Sequence, residues 1–429
     1  MTTGDRRAHA RPDYREIVSV AEARRLVRET LSPARGRPGA GVGPGTGRTA
    51  AVPPTTRTET VPRDEAAGRV LAEAVVSAED VPGFDRSTVD GYAVLAADTF
   101  GASESAPVLL FLAGSVAMGR PAGFSVAPGQ AGAVPTGGML PAGADAVVMV
   151  EQTSTPGEGL VEVLKPVAPN ENVVRAGEDV ARGAEVLAAG RRLTAADLGV
   201  LAATGVREVV CRARPRVAII PTGDEVVPAA TRDLGPGQVR DITSSCLAAL
   251  VGRDGGIPTV FGVVPDEDGA LARVLSSAVE GSGPGAAGSP GSAPGGRRGG
   301  EQAFDVVLIL GGSSVGARDR TAEAIDRLGP PGVLLHGLAV KPGKPTIFGL
   351  CGSRRVPVFG LPGHPVSSLV VYRVLVRLAL RLAGGEVVPE WEDGGDGVII
   401  RYDEQARKVV GLTIIGVGRR LEEYMRNKL

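Results

Sequence analysis

The chain has 429 residues, enough for two to four domains at roughly 100 to 200 residues each. With 43% hydrophobic and 22% charged residues and a formal net charge of −1, its composition is that of a soluble globular protein. The lack of a basic excess argues against a nucleic-acid partner. No apolar stretch approaches the roughly 18 residues that span a bilayer, and residues 1–40 lack a signal peptide's apolar core. We therefore predict a cytoplasmic protein with no membrane contact.

Cysteine usage excludes two further classes of protein. Cys211, Cys246 and Cys351 lie far apart, and the three histidines do not join them in a metal-ligand spacing. Neither a structural zinc site nor a disulfide framework is expected.

The N-terminal region divides into a helix and a linker. Ser19 and Glu22 form a capping-box pattern that predicts an amphipathic helix over about 19–31. The sequence that follows is rich in proline and glycine and is typical of a flexible linker. We assign residues 1–60 to this helix and linker.

The middle of the chain predicts short strands and one helix. Apolar runs at 108–112 and 146–150, broken by Gly and Pro, favour a small β domain. Thr194 is a helix cap, and the helix it begins is expected over 195–203 and to end by Gly205.

From residue 216 the pattern changes to strands alternating with helices, which predicts a three-layer α/β domain with a mostly parallel sheet. Residues 281–302 are low in complexity and are predicted to form a surface loop. In the last helix Arg373, Arg377 and Arg381 share one face, which we interpret as a solvated outer face. The strands are expected at 217–220, 259–264, 304–310, 333–338 and 356–359, and the helices at 244–251, 270–279, 320–328 and 366–382.

Ligands in such sheets bind beyond the carboxyl ends of the strands, so the loops that follow the strands are the candidate site. The loop after the third strand combines glycines and serines whose N–H and hydroxyl groups suit an anion or the edge of a pterin-like ring. The candidate residues in these loops are Thr222, Gly223, Asp224, Glu225, Gly311, Gly312, Ser313, Ser314, Asp319, Lys341, Lys344, Pro362 and Pro365.

The lysines are the more informative signal. Lys341 and Lys344 are two of only five lysines in the chain, which suggests positions that need a compact ammonium group. The alternative is an ordinary surface turn rich in Pro and Gly.

Carboxylates are expected at the same edge of the sheet. Asp224, Glu225 and Asp319 would converge with the lysines if their strands are neighbours, and this combination suits Mg²⁺-assisted handling of phosphate or another oxyanion. Asp266 also follows a strand. It could bind the metal, or it or Asp268 could cap the helix near residue 270.

A serine esterase is a rival hypothesis. Residues 312–316 match G-x-S-x-G, with Ser314 as nucleophile, and Asp319 and His336 or His364 follow in the order found in α/β-hydrolases. Against it, Asp319 is only five residues from Ser314, and the lysine pair would have no role.

A series of motifs resembles the molybdopterin molybdenumtransferase family, which includes the E domain of gephyrin. The first is DEAAGRVLAE from Asp64, and the second is VPGFDRSTVDGYAV from Val81. The others follow in family order: PTG from Pro135, LPAGADAVV from Leu140, RAGEDV from Arg175, TGDE from Thr222, GGSSVG from Gly311, KPGKP from Lys341 and LPGHPVS from Leu361. The resemblance spans about residues 61–382.

The resemblance implies a multidomain α/β plus β fold in an elongated homodimer. It implies a split helical/β N-terminal domain that holds the N-terminal helix (61–106 and 169–214) and an inserted small β domain (107–168). A three-layer α/β molybdopterin-binding domain (215–384) and an atypically short C-terminal segment (385–429) complete it.

The resemblance also implies a reaction. Family members insert molybdenum from molybdate into adenylylated molybdopterin and release AMP in a Mg²⁺-dependent step. The site lies between the α/β domain of one subunit and the β domain of the other. By position, Asp90, Thr136 and Asp179 would come from the partner-facing side. Glu225, Asp319, Lys341, Lys344, Pro362 and Pro365 would come from the α/β domain, with Glu225, Asp319 and Asp266 as candidate metal ligands.

Three features depart from the family pattern. His364 and Thr243 both stand where many members carry Asn. The C-terminal segment is predicted to contain strands at 397–400 and 409–415 and a helix at 419–427, without the family's usual barrel. The second functional hypothesis is therefore a non-catalytic molybdopterin-binding or scaffold protein.

Overall fold

The computed structural model describes residues 17–31, 55–281, 303–311, 315–388, 398–403 and 408–414. Within it, the side chains of residues 315–319 and of those from 398 onward lie outside the description. The low-complexity stretch 282–302 and the predicted C-terminal helix at 419–427 are also outside the described residues.

Helix α1 spans Val20–Leu31, and the Ser19 hydroxyl accepts the backbone N–H of Glu22 at 3.1 Å. Its buried face joins the same apolar cluster as the α/β sheet. The implied placement of this helix in the split domain is therefore wrong, because Ala23, Val27 and Leu31 are buried against the α/β domain instead.

Residues 58–212 contain the elements of the split domain and the β domain. The strands are β1 (Thr58–Pro62), β2 (Val75–Val76), β3 (Arg86–Ser87), β4 (Gly91–Val94), β5 (Val108–Ser115), β6 (Gln130–Val134), β7 (Ala146–Met149), β8 (Thr153–Ser154), β9 (Leu160–Val163), β10 (Val173–Val174), β11 (Glu185–Leu187) and β12 (Glu208–Arg212). Short 3-10 turns cover Arg63–Glu65, Ala96–Thr99 and Val150–Gln152, and helix α2 covers Ala195–Ala203.

The β domain is one six-stranded sheet in the order β7-β4-β6-β5-β9-β8. The split domain is built from antiparallel pairs, β1 with β12, β2 with β11 and β3 with β10. Helix α2 begins as predicted, because Thr194 and Asp197 form a reciprocal capping box.

The α/β domain follows. Its strands are β13 (Arg216–Pro221), β14 (Val226–Val227), β15 (Val239–Arg240), β16 (Ile257–Val260), β17 (Val306–Leu310), β18 (Gly332–His336), β19 (Ile347–Cys351) and β20 (Val356–Leu361). Its helices are α3 (Thr243–Arg253), α4 (Ala270–Glu280), α5 (Val315–Arg327), α6 (Pro365–Val371) and α7 (Arg377–Ala383).

The central sheet has the order β16-β13-β17-β20-β19-β18. The first four strands are parallel. Strands β13, β17 and β20 are mostly apolar and buried, as suits strands covered on both faces, whereas β16 is the partly exposed edge strand. Strand β19 is absent from the sequence prediction and runs antiparallel to both neighbours. Since two reversals restore the direction, β18 still points its carboxyl end to the same edge as β13, β17 and β20.

Helices α6 and α7 are separated by a π-helical turn over Tyr372–Val376, where a continuous helix was expected. Arg24 of α1 donates from Nη1 to the carbonyl of Val374 at 2.6 Å, so an arginine satisfies one carbonyl of this turn. The Tyr372 hydroxyl donates to Oδ2 of Asp254 at 3.0 Å.

Two nearly buried carboxylates lie at the amino edge of the sheet, and one of them, Glu386, pairs with Arg192 of the split domain. Glu386 accepts from Arg192 at 2.8 Å and from Arg381, and its side chain is only 4% exposed. Asp254 pairs with Arg377 at 3.5 Å. The predicted solvated outer face is therefore wrong for Arg377 and Arg381, which are engaged in these ion pairs.

The carboxyl edge contains a close approach between two strands. The backbone N–H of Thr222 donates to the carbonyl of Leu310 at 2.6 Å, just beyond β13 and β17. Gly311 has φ of +143°, and a Cβ there would overlap Oγ1 of Thr222. Only glycine fits this position.

Strands β21 (Val398–Asp403) and β22 (Lys408–Ile414) form an antiparallel hairpin at about the positions expected for two C-terminal strands. Within the described residues, no helix combines the length and apolar character needed to traverse a bilayer.

Replacing Glu386 with Gln tests the amino-edge ion pairs. Burial raises the pKa of this carboxyl, but hydrogen bonds from Arg381 and Arg192 outweigh burial and hold it below its ordinary 4.5. The pairs therefore stabilise the fold above about pH 4.5, and this contribution is lost as the pH falls through the folded-state pKa. At pH 7 we expect the free energy of unfolding of the variant, measured by urea denaturation, to be about 3 kcal/mol lower than that of the unaltered protein. This difference should become smaller toward pH 3.

Glu323→Gln is the matched control, since Glu323 forms an exposed i,i+4 pair with Arg327. The free energy of unfolding of this control variant should fall by less than about 0.5 kcal/mol. Equal losses in the two variants at pH 7 would contradict the prediction.

Replacing Gly311 with Ala tests the close approach at the carboxyl edge. We expect the free energy of unfolding, measured by urea denaturation, to fall by about 1–3 kcal/mol, because the methyl group strains both the backbone and Thr222. Gly262→Ala is the control, as a Cβ there meets nothing within 4 Å. An unchanged midpoint for Gly311→Ala would show that the strands separate without cost.

Candidate functional site

Four loops lie at the carboxyl edge of the central sheet. They follow β13, β17, β18 and β20, and their described residues are 222–225, 311, 337–346 and 362–364. We call them the carboxyl-edge rim. The strand order makes the loops after β13 and β17 neighbours, but three strands separate β13 from β18, which precedes the lysine loop. The expectation that Glu225 and the lysines follow neighbouring strands is therefore wrong, and their loops share only the edge of the sheet.

Glu225 and Asp224 are exposed on this rim and do different work. The Glu225 carboxylate lies over Gly223, since a Cβ on that glycine would be 2.7 Å from Oε2. Oδ1 of Asp224 accepts the backbone N–H of Asp266 at 2.9 Å, which ties in the loop after β16. Glu225 thus presents a carboxylate to solvent, while Asp224 organises the backbone.

Asp266 is placed against a cation. Its carboxylate lies 3.9 Å from Nη1 of Arg320, and its carbonyl accepts from the same guanidinium. The alternative cap role is wrong, because the N-cap of α4 is Gly269 and no side chain caps the helix. Arg320 was missed by sequence reasoning, since a single arginine on a helix carries no pattern.

The two lysines lie on a tightly turned loop. Both are exposed, and the carbonyl of Lys344 accepts the N–H groups of Leu338 and Thr346 at 2.9 Å each. Gly343 has φ of +128°, and a Cβ there would lie 2.8 Å from the side chain of Val371. The lysine loop is therefore pressed against α6.

The loop after β20 is fixed by a serine. Ser368 is fully buried and donates its hydroxyl to the carbonyl of Pro362. Pro365 occupies the first turn of α6, and His364 is the exposed N-cap without a side-chain capping bond. Pro362 and the lysine loop are thereby adjacent along α6.

Part of the predicted site lies outside the described residues. Gly312, Ser313 and Ser314 are not described, nor is the side chain of Asp319. Among the side chains that are described, no group of three or more His, Cys, Asp or Glu could hold a metal ion.

Asp90 and Thr136 form a direct pair in the β domain. Oδ1 of Asp90 accepts the Thr136 backbone N–H at 2.7 Å and its hydroxyl at 3.0 Å. The backbone hydrogen bond first, and the hydroxyl second, lower the pKa of Asp90. The carboxylate is exposed and ionised at neutral pH.

Asp179 lies on a neighbouring loop. It is 61% exposed and lies 3.9 Å from Nη2 of Arg86. Strand β3, which carries Arg86, is joined to the loop of Thr136, because the N–H of Ser87 donates to the carbonyl of Gly138 at 3.0 Å. Asp90, Thr136 and Asp179 therefore belong to one connected set of loops, which we call the β-domain rim.

Asp85 supports this second rim and was missed as a functional residue. Its carboxylate accepts the backbone N–H of Ala176 at 2.8 Å and pairs with Arg175. The hydrogen bond from Ala176 is the main cause that lowers the pKa of Asp85. Its signal was available, since Asp85 lies inside the motif that begins at Val81.

The departure at Thr243 leaves the local cap in place. Thr243 is buried in the first turn of α3, and the Asp241 carboxylate accepts the N–H of Ser244 at 2.9 Å. The helix therefore begins normally without the asparagine.

Comparison with known proteins agrees with this geometry. Residues 18–205 match the MoeA N-terminal region (domain I and II), and residues 297–382 match a probable molybdopterin binding domain. The molybdopterin molybdenumtransferase of Nostoc sp. is 34% identical over 336 residues, covering 78% of this chain and 71% of that protein.

Two further relatives point the same way. Molybdopterin molybdenumtransferase 2 of Mycobacterium tuberculosis is 37% identical over 332 residues, covering 76% of this chain and 75% of that protein. The molybdopterin biosynthesis moeA protein of Pyrococcus horikoshii OT3 has a crystal structure that superposes with a TM-score of 0.65 at 30% identity, covering 87% and 81% of the two chains. The multidomain α/β plus β architecture is thus confirmed, and the chain belongs to the MoeA family of molybdopterin molybdenumtransferases.

Proposed function

We propose that this protein inserts molybdenum from molybdate into adenylylated molybdopterin and releases AMP. The observation that carries the proposal is the carboxyl-edge rim, where the exposed Glu225 carboxylate and the loop of Lys341 and Lys344 lie at the same edge of one sheet. Relatives named for this transfer support it.

The rim chemistry fits an anionic substrate. Lys341 and Lys344 would neutralise the charge of molybdate and of the phosphoanhydride, because an ammonium group stabilises developing negative charge in a partly desolvated site. Glu225 would orient the attacking water, and Pro362 and Pro365 would shape the wall of the site. Thr222, Gly223 and Gly311 would let the substrate approach the backbone closely.

The Mg²⁺ expected from the family fits part of this rim. Mg²⁺ is commonly bound through one or two carboxylates together with substrate phosphates. Glu225 supplies an exposed carboxylate, and Asp319 would supply the second, whereas Asp266 is already paired with Arg320. When bound, the ion would neutralise charge on the leaving phosphate.

We propose that the β-domain rim completes the site across a homodimer. Two described ion pairs, Arg57 with Asp305 and Arg192 with Glu386, tie the earlier part of the chain to the amino edge of the α/β sheet. Arg192 also donates to the backbone carbonyl of Asp254 at 3.4 Å. The carboxyl-edge rim is at the opposite edge of the sheet. A second copy of the chain is therefore the natural source of Asp90, Thr136 and Asp179.

Family membership weighs against the esterase hypothesis, in which Ser314 would be the nucleophile. The non-catalytic alternative is distinguished by turnover, because a scaffold protein would bind molybdopterin without releasing AMP.

Glu225→Gln tests catalysis directly. Single-turnover AMP release from adenylylated molybdopterin should require both molybdate and Mg²⁺, and the variant should release AMP about a hundredfold more slowly. Glu267→Gln removes an exposed carboxylate from a neighbouring loop and serves as the control. Tight pterin binding without AMP release by the unaltered protein would favour the scaffold hypothesis.

Mixed dimers test the shared site. Asp90→Asn and Lys341→Ala chains should each be inactive alone, since each removes one half of every site. Unfolded and reassembled together, they should recover roughly a quarter of the unaltered activity, because half of the dimers carry one intact site of two. Absence of recovery, with light scattering showing that dimers formed, would place both residues in a site within one chain.

A further inference from the structure

A second charged feature lies between the split domain and the amino edge of the α/β sheet. The structure contains a cleft there that opens to solvent. Its charged lining consists of Arg69, Arg192, Arg212, Arg214 and Asp254. We call it the amino-edge cleft.

Two of the four arginines are held by protein partners. Arg69 pairs with Glu59 and also donates to the carbonyl of Arg212 at 3.0 Å. Arg192 pairs with Glu386 and donates to the carbonyl of Gly68 at 2.7 Å. These two guanidinium groups are therefore fixed in place and form rigid walls of the cleft.

The other two arginines have no carboxylate partner among the described residues. Among the described side chains, Arg212 makes one long hydrogen bond, from Nη1 to the carbonyl of Thr55 at 3.4 Å. Arg214 is exposed, and its side chain makes no hydrogen bond within the described residues. Because arginine donates five N–H groups, most of the donors on these two side chains remain available to a ligand.

The single acidic residue of the lining cannot neutralise them. The Asp254 side chain is 7% exposed and already accepts from the Tyr372 hydroxyl at 3.0 Å and from Arg253 at 3.2 Å. It also faces Arg377 at 3.5 Å. The cleft therefore keeps an excess of positive charge.

Two glycines lie next to the cleft arginines, at positions where a larger residue would clash with them. At Gly255, φ is +94° and a Cβ would lie 2.9 Å from Nη1 of Arg192. At Gly385, φ is +77° and a Cβ would lie 3.1 Å from Cγ of Arg212. Side chains at either position would push these arginines out of their present places, so the backbone is shaped around them.

We infer that the amino-edge cleft binds a small tetrahedral oxyanion, separately from the carboxyl-edge rim. Guanidinium groups match the geometry of such anions through paired N–H donors. The anion would bridge Arg212 and Arg214 of the split-domain connection to the walls that Arg192 and Gly255 form beside the α/β domain. Free phosphate, molybdate and the phosphate of AMP share this chemistry.

The test is calorimetric titration of the full chain with inorganic phosphate. Lys341→Ala/Lys344→Ala serves as background, so that binding at the carboxyl-edge rim is suppressed. Adding Arg212→Gln and Arg214→Gln should raise the dissociation constant about tenfold or abolish binding. Arg273→Gln, at an exposed position on α4, removes one positive charge, as Arg214→Gln alone does, and should leave phosphate binding unchanged. Unchanged binding in the arginine double variant would overturn the inference.

Three further arms keep the result decisive. Arg214→Gln alone, at an exposed position, should weaken binding even if the double variant does not fold. Molybdate should compete with phosphate, whereas AMP binding without phosphate or molybdate binding would contradict an oxyanion site. Glu390→Gln/Glu392→Gln/Asp393→Asn removes the acidic residues that follow Val388. Phosphate binding seen only in that variant would overturn the inference, because the chain itself would then supply the anion.

Discussion

The architecture depends on two nearly buried carboxylates that accept arginines from different parts of the chain. Glu386 binds Arg192 of the split domain and Arg381 of α7, and Asp254 binds the Tyr372 hydroxyl and Arg377. A buried carboxylate without its partners would cost several kcal/mol, so the pair of Glu386 with Arg192 fixes where the split domain attaches, and the Asp254 pairs brace the α/β domain beside it. Attachment at the amino edge leaves the carboxyl edge of the sheet open for ligands.

The open edge gains its shape from close backbone contacts. Gly311 abuts Thr222, Gly223 lies beneath the Glu225 carboxylate, and Gly343 abuts Val371. Each glycine has a φ of more than +120°, which few other residues adopt. The charged side chains of the rim are therefore presented by backbone that has little freedom to move, which favours the preorganised electrostatics proposed for catalysis.

Much of this arrangement could be predicted from local pattern. The alternation of apolar runs and helices identified five of the six strands of the central sheet. Thr194 and Ser19 located two helix starts by their capping chemistry. The order of motifs identified the family, and the paired Asp90 and Thr136 were both expected at the site. These features depend on neighbours in sequence, or on spacing that a short segment contains.

The errors share a different cause. Strand β19 contains Gly349, and glycine in a sequence favours a turn over a strand. A Cβ at Gly349 would lie 2.7 Å from the carbonyl oxygen of Gly332, so a tertiary contact accounts for this glycine. Arg377 was expected in solvent because its partner Asp254 is more than a hundred residues away. Arg320 was missed because its role is to hold Asp266. Each of these residues is placed by a contact with a residue distant in sequence, and such contacts cannot be predicted from hydrophobic periodicity.

The contact between Arg24 and the π-helical turn has a consequence for synthesis of the chain. The donor and the carbonyl of Val374 are 350 positions apart, and the apolar face of α1 is covered by elements of the same late region. During translation, α1 is made about 350 residues before the segment on which it docks. Domains tend to fold as they emerge from the ribosome, but the apolar face of α1 stays exposed until the later part of the α/β domain has been made. Closing so long a loop makes the first helix among the last to settle into the native structure.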